Sequence, residues 1–146
     1  MAYTVEHLQS VVERCEFDRW LGLKVEHVDE DTATIRMPLR REFLGTPKVD
    51  RLHGGTVAAM IDGVGCYVVI SRLNKRVSTV NLVVDYLRPA HGEMVAHARI
   101  VKLGRRICLV AVEVTGADGK LAATGRVTIA PSDITVGEEE SGARIR

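Results

Sequence analysis

Residues 51–72 read RLHGGTVAAMIDGVGCYVVISR, and their period decides how the rest of the chain must fold. Val57, Ile61, Val64 and Val68 recur at helical spacing, while Gly55, Ala59, Asp62 and Cys66 line another face with small side chains. The spacing predicts a mostly buried helix over about residues 54–72. Gly63 and Gly65 inside it each cost roughly 1 kcal/mol relative to alanine. Close approach by a sheet or another backbone is the expected compensation.

Working outward, four strand-like segments follow the helix, at about 77–88, 93–103, 106–115 and 121–130. Their separators PAHG, KLGRR and GADGK are short and carry glycine, as hairpin connections do. In the first segment Val80, Leu82, Val84 and Tyr86 alternate with Thr79, Asn81 and Asp85, the period of a strand with one buried face. Tyr86 is therefore expected in the core rather than as a substrate platform. The run ICLVAVEV is apolar on both faces and belongs deep in the sheet. Upstream of the helix, residues 22–38 form two alternating segments around a turn-like DED, a hairpin. Residues 40–52, with Gly45 and Pro47, read as an irregular loop. Thr4 can cap a short helix over about 4–18 whose apolar residues Leu8, Val11, Val12 and Cys15 share one face. Two strands, a long apolar helix and four more strands make an α+β domain: an antiparallel β-sheet packed on a central α-helix. It is expected to occupy residues 1–136, with GEEESGARIR at 137–146 as a solvated tail.

At 146 residues the chain suits one domain, and 46% apolar with 27% charged residues is the composition of a soluble globular protein. A net charge of +1 with scattered basic residues gives no footprint for nucleic acid. The longest apolar stretch is interrupted by Asp62 and reads as too short to span a bilayer. No basic region followed by an apolar block opens the chain, so no secretory signal is expected. Cys15, Cys66 and Cys108, odd in number and far apart, give neither a disulfide framework nor a paired zinc motif. A cytoplasmic location is the expectation.

The N–H groups at a helix start lack intrahelical partners and sit at the positive end of the helix dipole. His53, Gly54 and Gly55 can therefore cradle a developing oxyanion. A tight loop-to-helix turn is the simpler reading of the same residues. Asp62 lies nine residues after His53, roughly 13 Å along the axis and on the opposite side, at about 1.5 Å and 100° per residue. Gly54 and Asp62 of one chain thus cannot hold the same small reacting group. A shared site requires a second, antiparallel copy of the helix, which a two-fold dimer supplies twice. The competing reading makes Asp62 a structural aspartate hydrogen-bonded to a neighbouring strand. An unpaired buried carboxylate is expensive, so that reading requires a partner.

The run LHGGTVAAMIDGVG at 52–65, followed by STVNLVVDYLRPA at 78–90, resembles the hotdog-fold acyl-CoA thioesterases of the phenylacetic-acid-degradation (PaaI-like) type. The likeness extends over about residues 20–130. It implies a hotdog fold and hydrolysis of an acyl- or aryl-CoA thioester to free acid and CoA, without a cofactor. Carried over residue by residue, it implies Asp62 as general base on water or as nucleophile, and the Gly54 N–H as donor to the thioester oxygen. His53 would hold the loop or assist polarisation, and Thr79 would orient water. It also implies a homodimer or a homotetramer of hotdog subunits, with sites at the dimer interface. Many such enzymes carry an asparagine six residues before the histidine, where this chain has Pro47, and its role does not transfer to Asp50 or Arg51. That departure motivates an alternative, a non-catalytic acyl-CoA-binding or sensing module. A hotdog dehydratase or hydratase would pair a histidine with an acid, and no second histidine stands near the helix in sequence.

Gly55, Arg88, Arg105 and Arg106 are the remaining candidates for substrate binding, the arginines through charge-assisted hydrogen bonds to CoA phosphates. Exposed arginines are also ordinary in hairpin turns. His7, His27, His91 and His97 show no metal-ligand spacing, and no metal site is expected. Cys66 lies one turn from Asp62, whose charge would raise a thiol pKa, and is read as packing.

Overall fold

The computed structural model describes residues 3–138 and begins with two short helices, α1 (Val5–Val12) and α2 (Glu16–Leu21). Thr4 caps α1 as expected, its hydroxyl accepting the His7 N–H at 3.1 Å, and Leu8, Val11 and Val12 are buried. The single helix expected over 4–18 is instead broken at residues 13–15, and Cys15 is exposed. The break redirects the chain so that α2 buries Leu21 beside Asp18, and a straight continuation of the α1 face would not select Leu21.

Strands β1 (Lys24–Val28) and β2 (Thr32–Met37) form the expected hairpin. Its turn is tied to the core helix by Arg72, whose guanidinium lies 2.8 Å from Glu30 and 3.5 Å from Asp31. The segment expected as an irregular loop is ordered: a 3-10 turn at Arg41–Phe43, then a two-stranded ribbon of β3 (Leu44–Thr46) and β4 (Val49–Leu52). Burial of Phe43 decides this. Its ring meets Trp20 edge-on at 5.1 Å, and its carbonyl accepts the His53 N–H at 2.8 Å. Pro47 sits in the turn between the two ribbon strands, which matches its fixed φ.

Helix α3 (Gly54–Leu73) follows, ending at Asn74 in the left-handed conformation (φ 52°). At 20 residues it has the length and composition to cross a bilayer, longer than the sequence reading allowed, yet it is packed inside the curl of the sheet. Strands β5 (Lys75–Tyr86), β6 (Met94–Lys102), β7 (Cys108–Thr115) and β8 (Leu121–Thr135) complete a six-stranded antiparallel sheet in the order β1-β2-β6-β7-β8-β5. Strand β7 lies inside it, with Cys108, Val110, Val112 and Val114 buried. Strand β8 runs five residues past its expected end. Glycine admits close contact between helix and sheet: a Cβ at Gly65 would lie 2.8 Å from Val127 Cγ2, and one at Gly125 would lie 2.4 Å from Ile61 Cγ2. An antiparallel sheet wrapped around a long central helix is the hotdog fold. Of the tail expected at 137–146, Gly137 and Glu138 are exposed, and residues 139–146 lie outside the described residues.

Strand β5 is an edge strand, and its register departs from strict alternation. Thr79 pairs with Ile129 and Asn81 with Thr128, leaving Val80 as an extra residue, a β-bulge. The bulge shifts the phase by one. Val80, expected on the buried face, is 58% exposed, while Val77 before the bulge and Leu82 and Val84 after it pack on the core. Thr79 consequently faces the helix.

Candidate active site

Helix α3 starts on a histidine cap. The His53 Nδ1 accepts the Gly55 N–H at 2.9 Å, an acceptor role that leaves the proton of a neutral ring on Nε2. Gly55 therefore has its amide committed to the cap. The Gly54 N–H has no intrahelical acceptor, and no other described residue accepts from it. The Tyr86 hydroxyl donates to the Gly54 carbonyl at 2.6 Å, and a Cβ at Gly54 would come within 3.3 Å of the Tyr86 ring. Tyr86 is thus not a core residue. It is 53% exposed and stands over the helix start, on the face of Leu82 and Val84 but at the last position of β5, where it pairs with Ala123. A cavity of about 340 Å³ opens here, lined by Arg51, Leu52, Gly54, Val57, Tyr86 and Arg88 among others.

Asp62 lies two turns further along, about 12 Å from Gly54 at 1.5 Å per residue. Its carboxylate is half-buried, and Thr79 Oγ1 donates to Oδ1 at 2.6 Å. Cys66 Sγ approaches the same Thr79 oxygen at 3.4 Å. With the hydroxyl proton committed to Asp62, the thiol is the donor in that contact. Burial pushes the Cys66 thiol up to about 11. The charges of Asp62 and Asp18 add to this. Cys66 is accordingly no thiolate at neutral pH, as the sequence reading expected.

Asp62 borders a second cavity, of about 350 Å³, together with Phe17, Ala59, Gly63 and Ile70. On its wall Tyr67 donates to Asp18 Oδ2 at 2.5 Å, and Asp18 is only 9% exposed. Burial, then the bond to Asp18 and its charge, hold the Tyr67 phenol far above its ordinary value. Sequence reasoning singled out neither residue. The signal was faint: an aspartate three residues before Leu21 gives no sign by itself of being buried.

The structure brings Gly54, Gly55, His53 and Arg88 to one end of α3, and Asp62 and Thr79 to its middle. Arg105 and Arg106 are not brought to either cavity. They share a third one, of about 770 Å³, with Lys102 and Asp133 at the β6–β7 hairpin. Arg105 also lines a cavity with Leu73 and Lys75, at the C-terminal end of α3. Near the helix start His91 Nδ1 lies 2.9 Å from Asp50 Oδ1, beside a bridge between Arg51 and His91. A histidine–acid pair therefore does stand close to the helix, both members exposed, hidden in the sequence by a separation of 41 residues. Among the described residues no three His, Cys, Asp or Glu side chains gather as a metal-binding group.

Residues 50–123 match the family model described as the thioesterase superfamily. A protein of Halobacterium salinarum, named provisionally as an esterase, is 32% identical over 112 residues, covering 73% of this chain and 74% of its own. The medium/long-chain acyl-CoA thioesterase YigI of Escherichia coli K12 is 28% identical over 113 residues, covering 66% of this chain and 73% of that one. The solved structure of the E. coli PaaI protein, from the phenylacetic acid degradation operon, shares the fold with a TM-score of 0.79 at 19% identity, covering 90% of this chain and 99% of that one. With the helix start, Asp62 and Thr79 all inside the matched span, the chain belongs to the thioesterase superfamily.

Proposed function

We propose that this chain hydrolyses acyl-CoA thioesters to free acid and CoA, with Asp62 of one subunit and the Gly54 N–H of a second copy acting on one thioester. The observation that carries this is the separation between the two groups. The amide without an acceptor and the half-buried carboxylate lie about 12 Å apart on one unbroken helix and border different cavities. Acyl-CoA thioesterases among the relatives support the reaction class.

The pairing has a natural surface in β5. This strand of 12 residues forms one edge of the sheet and leaves its outer polar groups without a strand partner. Two-fold pairing of such edges sets two copies of α3 antiparallel and completes two identical sites. In that arrangement the Gly54 N–H, at the positive helix end, stabilises charge on the thioester oxygen. Asp62, held by Thr79, takes a proton from an attacking water or attacks the carbonyl carbon itself, and the tetrahedral intermediate expels the CoA thiolate, which is then protonated. His53 keeps the loop in place through its bond to Gly55. Arg88 borders the Gly54 cavity, which supports a role for it in meeting a CoA phosphate. Arg105, which lines a cavity at the C-terminal end of α3, would approach that end from the second copy, whose α3 would run the other way.

Replacing Asp62 by Asn is expected to leave the assembly folded and to lower turnover by two or more orders of magnitude, read as thiol release from a panel of acyl-CoAs. Undiminished hydrolysis by this variant would remove Asp62 from the mechanism. The second reading, a module that binds acyl-CoA without cleaving it, is favoured by Pro47 in the ribbon turn, where related enzymes place an asparagine. Calorimetric binding of acyl-CoA by the wild type with no thiol release would establish it.

A further inference from the structure

Two glycines follow Asp62 in α3, and packing accounts for only one of them. A Cβ at Gly65 would press to 2.8 Å on Val127 Cγ2. A Cβ at Gly63 would meet Asp18 Oδ1 at 3.4 Å, Leu23 Cδ1 at 3.6 Å and Tyr67 Cε2 at 3.9 Å, all ordinary contact distances. Nor does the backbone require glycine there, since Gly63 is helical and absent from the positive-φ residues. Alanine would fit at 63 and would favour the helix. What a side chain would remove is space. Gly63 adjoins Asp62 and borders the same cavity of about 350 Å³, where Phe17, Ala59, Ile70 and Val77 supply apolar wall.

We infer that Gly63 sets the depth of the acyl subsite, and that the space beside Asp62 receives an apolar acyl group of medium length. This rests on the reading of Asp62 as the group that acts on the thioester. The volume lies at the small end of the roughly 300–1,000 Å³ spanned by ligand pockets, which suits a medium chain better than a long one. Asp18 does not need the ligand as a partner, because Tyr67 already donates to it.

The test compares wild type, Gly63→Ala, Gly63→Val and Asp62→Asn on acetyl-, hexanoyl-, decanoyl- and palmitoyl-CoA by thiol release, with thermal melts and solution mass for each. The wild type should prefer hexanoyl- or decanoyl-CoA. Gly63→Val should lower the decanoyl-to-acetyl ratio of kcat/KM at least 10-fold, chiefly through KM, as a lost methylene-sized pocket does. Gly63→Ala should shift the ratio the same way and melt no lower than wild type, so it carries the test if the valine variant does not fold. An unchanged ratio overturns the inference, as does an equal loss on all four substrates. Loss of the assembly in Gly63→Val would mean that a second copy fills the space, and also overturns it. In each of these cases an inactive Asp62→Asn leaves the catalytic reading standing, whereas an active one removes that reading itself.

Discussion

Thr79 touches Asp62 because its neighbour Val80 drops out of the β5 ladder. In an unbulged strand Thr79 would share a face with Asn81 rather than with Leu82 and Val84, and its hydroxyl would point away from the helix. The contact answers both readings of Asp62. It supplies the partner that a structural aspartate requires, and it fixes the carboxylate without closing the cavity beside it. A hydrogen bond to a charged group contributes about 1.5–3 kcal/mol. If Thr79 orients the catalytic carboxylate, Thr79→Val should lower kcat about 10- to 100-fold, and Thr79→Ser should restore most of the loss. Steady-state kinetics at matched folded fraction reads this, and a serine variant as poor as valine would argue against an orienting hydroxyl.

At the scale of elements, the two glycines after Asp62 separate packing from function. A Cβ at Gly65 would press on β8, whereas one at Gly63 would stand at ordinary contact distances beside the Asp62 cavity, although the two differ by only two positions on one helix. Gly65→Ala gains up to about 1 kcal/mol of helix propensity but forces a Cβ onto Val127, and overpacking of that kind costs about 1–3 kcal/mol. A net loss of stability is expected, measured as a lower urea midpoint with an unchanged slope. An unaltered midpoint would show that β8 yields without cost. The histidine cap illustrates the same economy of position: its ring nitrogen takes the Gly55 amide, so the helix start presents the Gly54 amide.

For the whole molecule, the question is what lies against the free edge of β5. A lysine at Val80, the exposed bulge residue, would set like charges on facing edges in a two-fold pairing centred near this residue. Val80→Lys is expected to yield a folded monomer whose acyl-CoA hydrolysis falls by at least two orders of magnitude, since neither chain alone joins Gly54 to Asp62. Light scattering coupled to size exclusion, run beside the thiol-release assay, measures both. Full turnover by a strict monomer would end the shared-site proposal.

The sequence by itself determined the α3 helix, the β1–β2 hairpin, the four-strand run after the helix and the places of His53, Gly54 and Asp62 along α3. Each is written locally, in a period of 3.6 or 2 or in the chemistry of a turn, and local patterns survive whatever packs on them. Only the tertiary structure decided the break between α1 and α2, the ordered ribbon at 44–52, the exposed position of Tyr86, the Asp18–Tyr67 bond and the His91–Asp50 pair. These depend on segments distant along the chain: Phe43 drawn against Trp20, and a bulge that turns β5 through one residue. A period read along one segment carries no information about where a neighbouring strand inserts an extra residue, so the phase of a strand face, and with it what reaches the helix, is set by packing.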